Sequence, residues 1–272
     1  MKNKEQYFDE IKTYKLLANK SLGQNFLINA SFAEKIVDLL DISSNDKVLE
    51  IGAGLGSLSY FLVNKKANTT LIDIDERMLQ FLNDNYAQEP SIEIKRMNVL
   101  KENLDKYTKI IGNLPYYITS SIIEYILLNA KNAKKVVLMT QKEVYPKLLK
   151  NNHSPLSLLL NYVSEISAPI NITRNNFTPV PHVDSVVFTL TLNEKITLNE
   201  NKDVYNLMCK LFLFRRKTIL NCLTKIVKNK EIAHQILDKM GVDNNLRPEQ
   251  LDIDFYISLT KQLKSNDFMI KI

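Results

Sequence analysis

The chain has 272 residues, 45% of them hydrophobic, with 36 Lys and Arg against 30 Asp and Glu and a formal charge of +6. That length suits one large domain, or one with a smaller companion, and no run of about eighteen apolar residues offers a membrane span. Cys209 and Cys222 lack metal-ligand spacing and the histidines at 153, 182 and 234 are scattered, which argues against a zinc site or a disulfide framework and suits a reducing cytoplasm.

Residues 1–20 are polar and Lys-rich and read as an N-terminal arm or a short helix, without the apolar stretch of a secretion signal. Ser21-Leu22-Gly23-Gln24-Asn25-Phe26-Leu27 leads to Ser31, placed to cap an amphipathic helix through Leu40. Lys47 to Ile51 is a buried-strand pattern, followed by Gly52-Ala53-Gly54-Leu55-Gly56 and a helix opened by Ser57. Glycines at such a junction let the backbone approach a ligand, and the helix start adds N–H groups and a positive dipole end. The G-x-G-x-G spacing is not the G-x-G-x-x-G of dinucleotide sites, and Glu50 just before it suits a cationic ligand. Together they point to S-adenosylmethionine over a nicotinamide cofactor.

The next strand, Thr69 to Asp73, ends in a carboxylate able to accept from two ribose hydroxyls, while Asp75 is placed to cap the helix Glu76 to Tyr86. A third strand, Ser91 to Met97, leads to Asn98-Val99. There a side-chain oxygen and a backbone N–H can meet the cofactor's adenine, or the asparagine simply makes a turn.

A short apolar run, Lys109 to Ile111, leads to Gly112-Asn113-Leu114-Pro115-Tyr116-Tyr117. Proline pushes Leu114 into an extended conformation that presents its carbonyl, Asn113 both donates and accepts, and Tyr116 offers a ring face. This is equipment for gripping the exocyclic amine of a flat base.

A helix after Thr119, a strand at Lys134 to Met139 and a helix from Gln141 continue the alternation, which signals a doubly wound parallel sheet. Leu156 to Val163 fits helix or strand. After the loop Phe177 to Asp184, the strand Ser185 to Leu192 is expected antiparallel to the rest. Polar residues 193–202 mark a boundary, beyond which the period is helical only, with helices through Lys228, near Glu231 to Met240 and at Asp254 to Leu263. Between Val204 and Lys230 there is no acid, and the adjacent Arg215, Arg216 and Lys217 cannot share one helix face, which points to phosphate contacts.

Six pieces in order carry a resemblance over nearly the whole chain: Ser21 to Leu27, Glu50 to Gly54, Asn113-Leu114-Pro115-Tyr116, Phe177 to Ser185, Phe212 to Thr218 and Arg247-Pro248-Glu249. With them the chain resembles the ribosomal RNA adenine N6-dimethyltransferases, and among these the bacterial small-subunit 16S branch. The 23S branch associated with macrolide resistance is the alternative. The resemblance implies an α/β fold, a Rossmann-like class I S-adenosylmethionine-dependent methyltransferase sheet (residues 21–195) with a small all-α C-terminal RNA-binding domain (residues 196–272). It implies that Asn25 and Leu27 close over the cofactor, Gly52 and Gly54 approach its methionine end, Asp73 takes the ribose and Asn98 faces the adenine. It implies that Asn113, also counted in the cofactor site, holds the target amine with the Leu114 carbonyl. Tyr116 and Phe177 would stack on the target base from opposite faces.

The family mostly has Glu where Asp73 stands and Asp where Asn98 stands, so one carboxylate reaches less far and one charge-assisted bond becomes neutral. The implied substrate is a pair of adjacent adenosines in the 3′-terminal hairpin loop of 16S RNA within the immature 30S subunit, modified in the cytoplasm by a monomer without a metal. Rival readings are a methyltransferase of DNA adenine or protein glutamine on the same fold, and a small-subunit assembly factor acting mainly by binding.

Overall fold

The computed structural model describes residues 2–13, 19, 23–197 and 199–265, so Ser21 and Leu22 of the first motif lie outside the described residues. Helix α1 (Lys4–Thr13), strand β1 (Phe26–Leu27) and helix α2 (Ala30–Asp38) precede an alternating series. It runs β2 (Lys47–Ile51), α3 (Ser59–Val63), β3 (Asn68–Asp73), α4 (Glu76–Tyr86), β4 (Ile92–Arg96), β5 (Lys109–Asn113), α5 (Thr119–Asn129) and β6 (Lys135–Gln141). Then come α6 (Pro155–Val163), β7 (Ser164–Ile166), β8 (Ile170–Ile172), β9 (Phe177–Thr178) and β10 (Ser185–Leu192), and finally α7 (Asn201–Phe212), α8 (Ile219–Val227), α9 (Lys230–Lys239) and α10 (Ile253–Ser265).

The main sheet has the order β4-β3-β2-β5-β6-β10-β7, with β8 also paired to β10. Strands β2 to β6 are mutually parallel, and β10 runs antiparallel to β6 from Ser185 opposite Gln141 to Thr191 opposite Lys135. Val136, Val137, Leu138 and Met139 are all buried, the near-continuous apolar run of a strand covered on both faces. From β2 the chain steps outward to β3 and β4, then returns to the other side of β2 with β5. The carboxyl ends of β2 and β5 therefore flank a topological switch point, where open α/β sheets bind ligands.

The chain divides into two compact units, one of the described residues up to Pro146 with Ser164–Asn193, the other of Lys147–Val163 with the described residues from Glu194 on. The expected boundary near residue 195 is thus close to the second crossing, but the segment carrying α6 belongs to the helical unit. Of the two readings of the first twenty residues, an arm or a short helix, Lys4–Thr13 takes the helix. Tyr7, Phe8 and Ile11 lie on one stripe of α1 and are buried in the core of the sheet-containing unit, where the Tyr7 ring lies 4.8 Å from Tyr60. Burying three such side chains contributes about 1.5–3 kcal/mol each, ample reason for a polar-looking segment to dock.

Three local expectations also change. Asn29, not Ser31, caps α2 by accepting from the Phe32 N–H. Ser57 opens no helix; its hydroxyl donates to the Leu27 carbonyl at 2.7 Å, and α3 starts at Ser59. No helix starts at Gln141, which ends β6 opposite Ser185. The Lys142 N–H donates to the Asp184 carbonyl, and Pro146 has no N–H to give a helix.

Candidate active site

In the bend after β2, left-handed glycines alternate with ordinary residues: Gly52, Gly54 and Gly56 have φ of +66°, +55° and +70°. The Ile72 carbonyl accepts from the N–H groups of both Gly52 and Ala53, which ties the bend to β3. A Cβ on Gly54 would lie 3.2 Å from the Phe26 ring, so glycine there lets β1 close over the bend.

Asp73 is clamped by backbone: Oδ2 accepts from the Gly54 N–H and Oδ1 from the Asp75 N–H, each at 2.9 Å. Each carboxylate oxygen keeps a further lone pair for a ligand. Burial pushes the Asp73 pKa upward, against the pull of those N–H bonds. The alternative of an acid that merely caps falls to its neighbour: Asp75 accepts from the Arg77 N–H at the start of α4, and the Arg77 side chain holds its carboxyl below the ordinary range. Glu50 is buried, accepts from the Ser59 hydroxyl at 2.6 Å, and is pushed up to about 8 by desolvation, with the Ser59 bond opposing and the Asp73 charge assisting.

Across the switch point, Asn113 ends β5. Its Nδ2 donates to the Asn25 backbone carbonyl at 2.9 Å, which leaves Oδ1 as the acceptor end of the amide. The Leu114 N–H donates to the Met139 carbonyl, and Pro115 after it is extended, with ψ of 130°. Tyr116 is half-buried with its hydroxyl 3.4 Å from Ser185 Oγ, and burial raises its pKa, keeping the phenol neutral.

These two corners line one cavity of about 260 Å³, several times the roughly 30 Å³ share of one water, which suits an organic ligand over a single ion. Asn25, Leu27, Gly52, Gly54, Asp73, Asn98, Asn113, Leu114 and Tyr116 all stand in its wall. A Cβ on Gly52 would be 3.5 Å from the Asn113 carbonyl, which measures how closely bend and corner approach. Asn98 makes the turn bond, accepting from the Leu100 N–H at 3.0 Å, and it also lines the cavity.

Phe177 is different. Expected as the second stacking ring, it is 1% exposed, in register opposite Leu27 and packed in the core, outside the cavity wall. Its burial reflects a large ring on a two-stranded pairing that joins the hydrophobic core. Arg215, Arg216 and Lys217 lie together in the exposed loop between α7 and α8, with no ion pair among the described residues.

Sequence reasoning missed Gln24, which donates to Asp75, and Ile74, a 41% exposed isoleucine in the cavity wall. An apolar residue held between two acids at a strand end was the available signal for Ile74. Tyr7, whose hydroxyl donates to the Leu55 carbonyl at 2.9 Å beneath the bend, was concealed by the polar composition around it.

A glycine bend with a clamped acid, facing an amide–proline–tyrosine corner at the switch point of such a sheet, defines a class I methyltransferase. The chain matches the ribosomal RNA adenine dimethylase family over residues 15–265 and belongs to it, which makes it a ribosomal RNA methyltransferase. It is similar to the ribosomal RNA small subunit methyltransferase A of Mycoplasma mycoides subsp. mycoides, 36% identical over 92% of this chain and 99% of the relative. The protein of that name from Malacoplasma penetrans is 33% identical over 95% and 96%. Among solved structures, a dimethyladenosine transferase from Plasmodium falciparum superposes with a TM-score of 0.74 at 26% identity, covering 87% of this chain and 96% of that one. The 23S rRNA methyltransferase ErmE, at 22% identity and a TM-score of 0.62 over 88% and 99%, shares the fold.

Proposed function

We propose that this protein transfers methyl groups from S-adenosylmethionine to N6 of two adjacent adenosines in the 3′-terminal hairpin loop of 16S RNA, within the immature small subunit in the cytoplasm. The observation that carries it is the shared cavity of the glycine bend and the Asn113–Tyr116 corner, with the Asn113 amide oriented by the Asn25 carbonyl. The residues fit the donor on their own chemistry. A Cβ on Gly52 would meet only the Asn113 carbonyl, at 3.5 Å, so glycine there keeps the space between bend and corner open; Asp73 keeps free lone pairs for ribose hydroxyls, and the buried Glu50 favours a cation nearby. When bound, S-adenosylmethionine supplies an electrophilic methyl group on a sulfonium.

The chain's part is alignment. Asn113 Oδ1 and the Leu114 carbonyl accept from the two amine hydrogens of the target, which holds its nitrogen in line and favours the positive charge that develops there. Tyr116 stacks on the extruded base, returning about 1–3 kcal/mol of the stacking lost on extrusion. No protein base and no metal enter this scheme; the proton of the methylated ammonium leaves to water. The helical unit, through Arg215, Arg216 and Lys217, grips RNA phosphates. The 23S alternative ranks lower because the relatives at 33–36% identity carry the small-subunit name.

The test is tritiated methyl transfer to undermethylated 30S particles, followed by mass spectrometry of the modified nucleoside. Dimethyladenosine at two neighbouring positions of 16S RNA is the expected product. Transfer only to 23S RNA, to DNA or to protein would overturn the reading.

A further inference from the structure

Tyr117 is the one exposed Tyr or Phe side chain among the described residues, at 58% exposure, although it follows directly on the half-buried Tyr116. It stands in the wall of the same cavity, and its ring rests near Gly23, where a Cβ would be 3.8 Å from the ring edge. Among the described residues it has no hydrogen bond and no ring partner, whereas the hydroxyls of Tyr116, Tyr125 and Tyr145 each find an oxygen. The two tyrosines belong to a 3₁₀ turn, Tyr116–Ile118, in which successive side chains diverge by about 120°. One ring therefore serves the cavity and the next serves its rim.

An extruded base leaves its covalent neighbour with one bare face, and a free aromatic ring at the rim is what that face lacks. We propose that Tyr117 is a stacking platform for the base next to the target adenosine, a positioning residue that selects for a base at the neighbouring position. Stacking is blind to hydrogen-bond pattern but absolute about the presence of a base. Because the substrate is a pair of adenosines, the unmodified or modified partner would occupy this platform while its neighbour reacts. The inference rests on the cavity taking an extruded adenosine, as proposed above.

The test uses the full chain and small subunits reconstituted around 16S RNA whose 3′-terminal hairpin is synthetic, with an abasic residue in place of either neighbour of the target. With the parent protein, one of the two abasic substitutions is expected to lower methyl transfer to the target about ten-fold. Tyr117→Ala is expected to lose about the same factor on intact RNA and nothing further on that abasic RNA, with cofactor affinity unchanged by calorimetry, while Tyr117→Phe keeps the parent rate. Losses that multiply, or a Tyr117→Ala variant as fast as the parent on intact RNA, would overturn the platform. A parent that fails to methylate intact particles would instead overturn the substrate assignment, so the two failures are distinct.

Discussion

The two walls of the cavity are built on opposite principles. On the bend side nearly every polar group is already engaged: Asp73 accepts two backbone N–H bonds, Glu50 accepts from Ser59, and Ile72 accepts two bonds from the bend. On the corner side the Asn113 amide is fixed by one bond through its Nδ2, which leaves its Oδ1 as an acceptor beside two tyrosines of different exposure. A wall braced by its own backbone, with lone pairs of Asp73 still open, can hold a ligand in one pose with little reorganisation, which suits a cofactor used in every turnover. A wall with oriented but unspent acceptors suits a group whose charge changes during reaction.

The largest effect that would break this contrast is at Asn113. Asn113→Ala removes one of the two acceptors proposed for the developing ammonium, and a loss of about 10²–10³ in single-turnover methyl transfer is expected, with a much smaller change in cofactor affinity. Equal losses in rate and cofactor binding would mean that the amide belongs to the bend side.

The next effect concerns the helical unit. Replacing Arg215 and Arg216 by Ala is expected to weaken binding to small subunits about ten-fold or more at low salt, and to flatten the dependence of log affinity on log salt by about one unit per arginine. Cofactor affinity should not move. The three charges are exposed in a loop and without an ion pair among the described residues, so loss of stability is not the expected route.

How much of this was legible in the sequence depends on the range of the interactions. The glycine bend, Asp73 and the Asn113–Pro115 turn are local devices, each specified by residues within a few positions, and the structure places them where that local reading did. Tyr7 and Phe8 pack on Tyr60, Phe81 and Tyr86, some fifty to eighty positions away, so nothing near them in the chain distinguished a docked helix from an arm. Phe177 shows the same limit. Its loop motif was readable, but which face of a two-residue strand turns to the core is decided by its pairing with β1. The segment carrying α6 could not be assigned to the helical unit from composition, because it lies between two strands of the sheet.

A smaller effect tests the buried acid. Glu50 ionises at about 8 in the fold against an ordinary value of 4.5. Between these values the folded chain binds more protons than the unfolded one, so this carboxyl's contribution to stability is intact below about pH 4.5 and is lost as pH rises through 8. In cofactor-free protein, Glu50→Gln should therefore gain in melting temperature over the parent at pH 8 relative to pH 5. A constant difference across that window would show that Glu50 is ionised throughout. A bound cation lowers the cost of ionising Glu50, so cofactor binding near pH 7 should release a proton in the parent and not in the variant.

The smallest effect expected is at Asn98, and it bears most directly on how the braced wall recognises a ligand. Its Oδ1 already accepts from the Leu100 N–H, and the side chain is exposed, so any second bond to the cofactor's adenine amine is shared and partly solvated. Asn98→Asp keeps the turn acceptor and adds charge. A charge-assisted bond is about twice as strong as a neutral one, but exposure discounts the gain, so cofactor affinity should tighten only about three-fold. Asn98→Ala should weaken it by a similar factor, and calorimetry resolves both. If Ala binds the cofactor as the parent does while Asp still caps the turn, Asn98 holds the backbone of the wall and the adenine is recognised by that backbone alone.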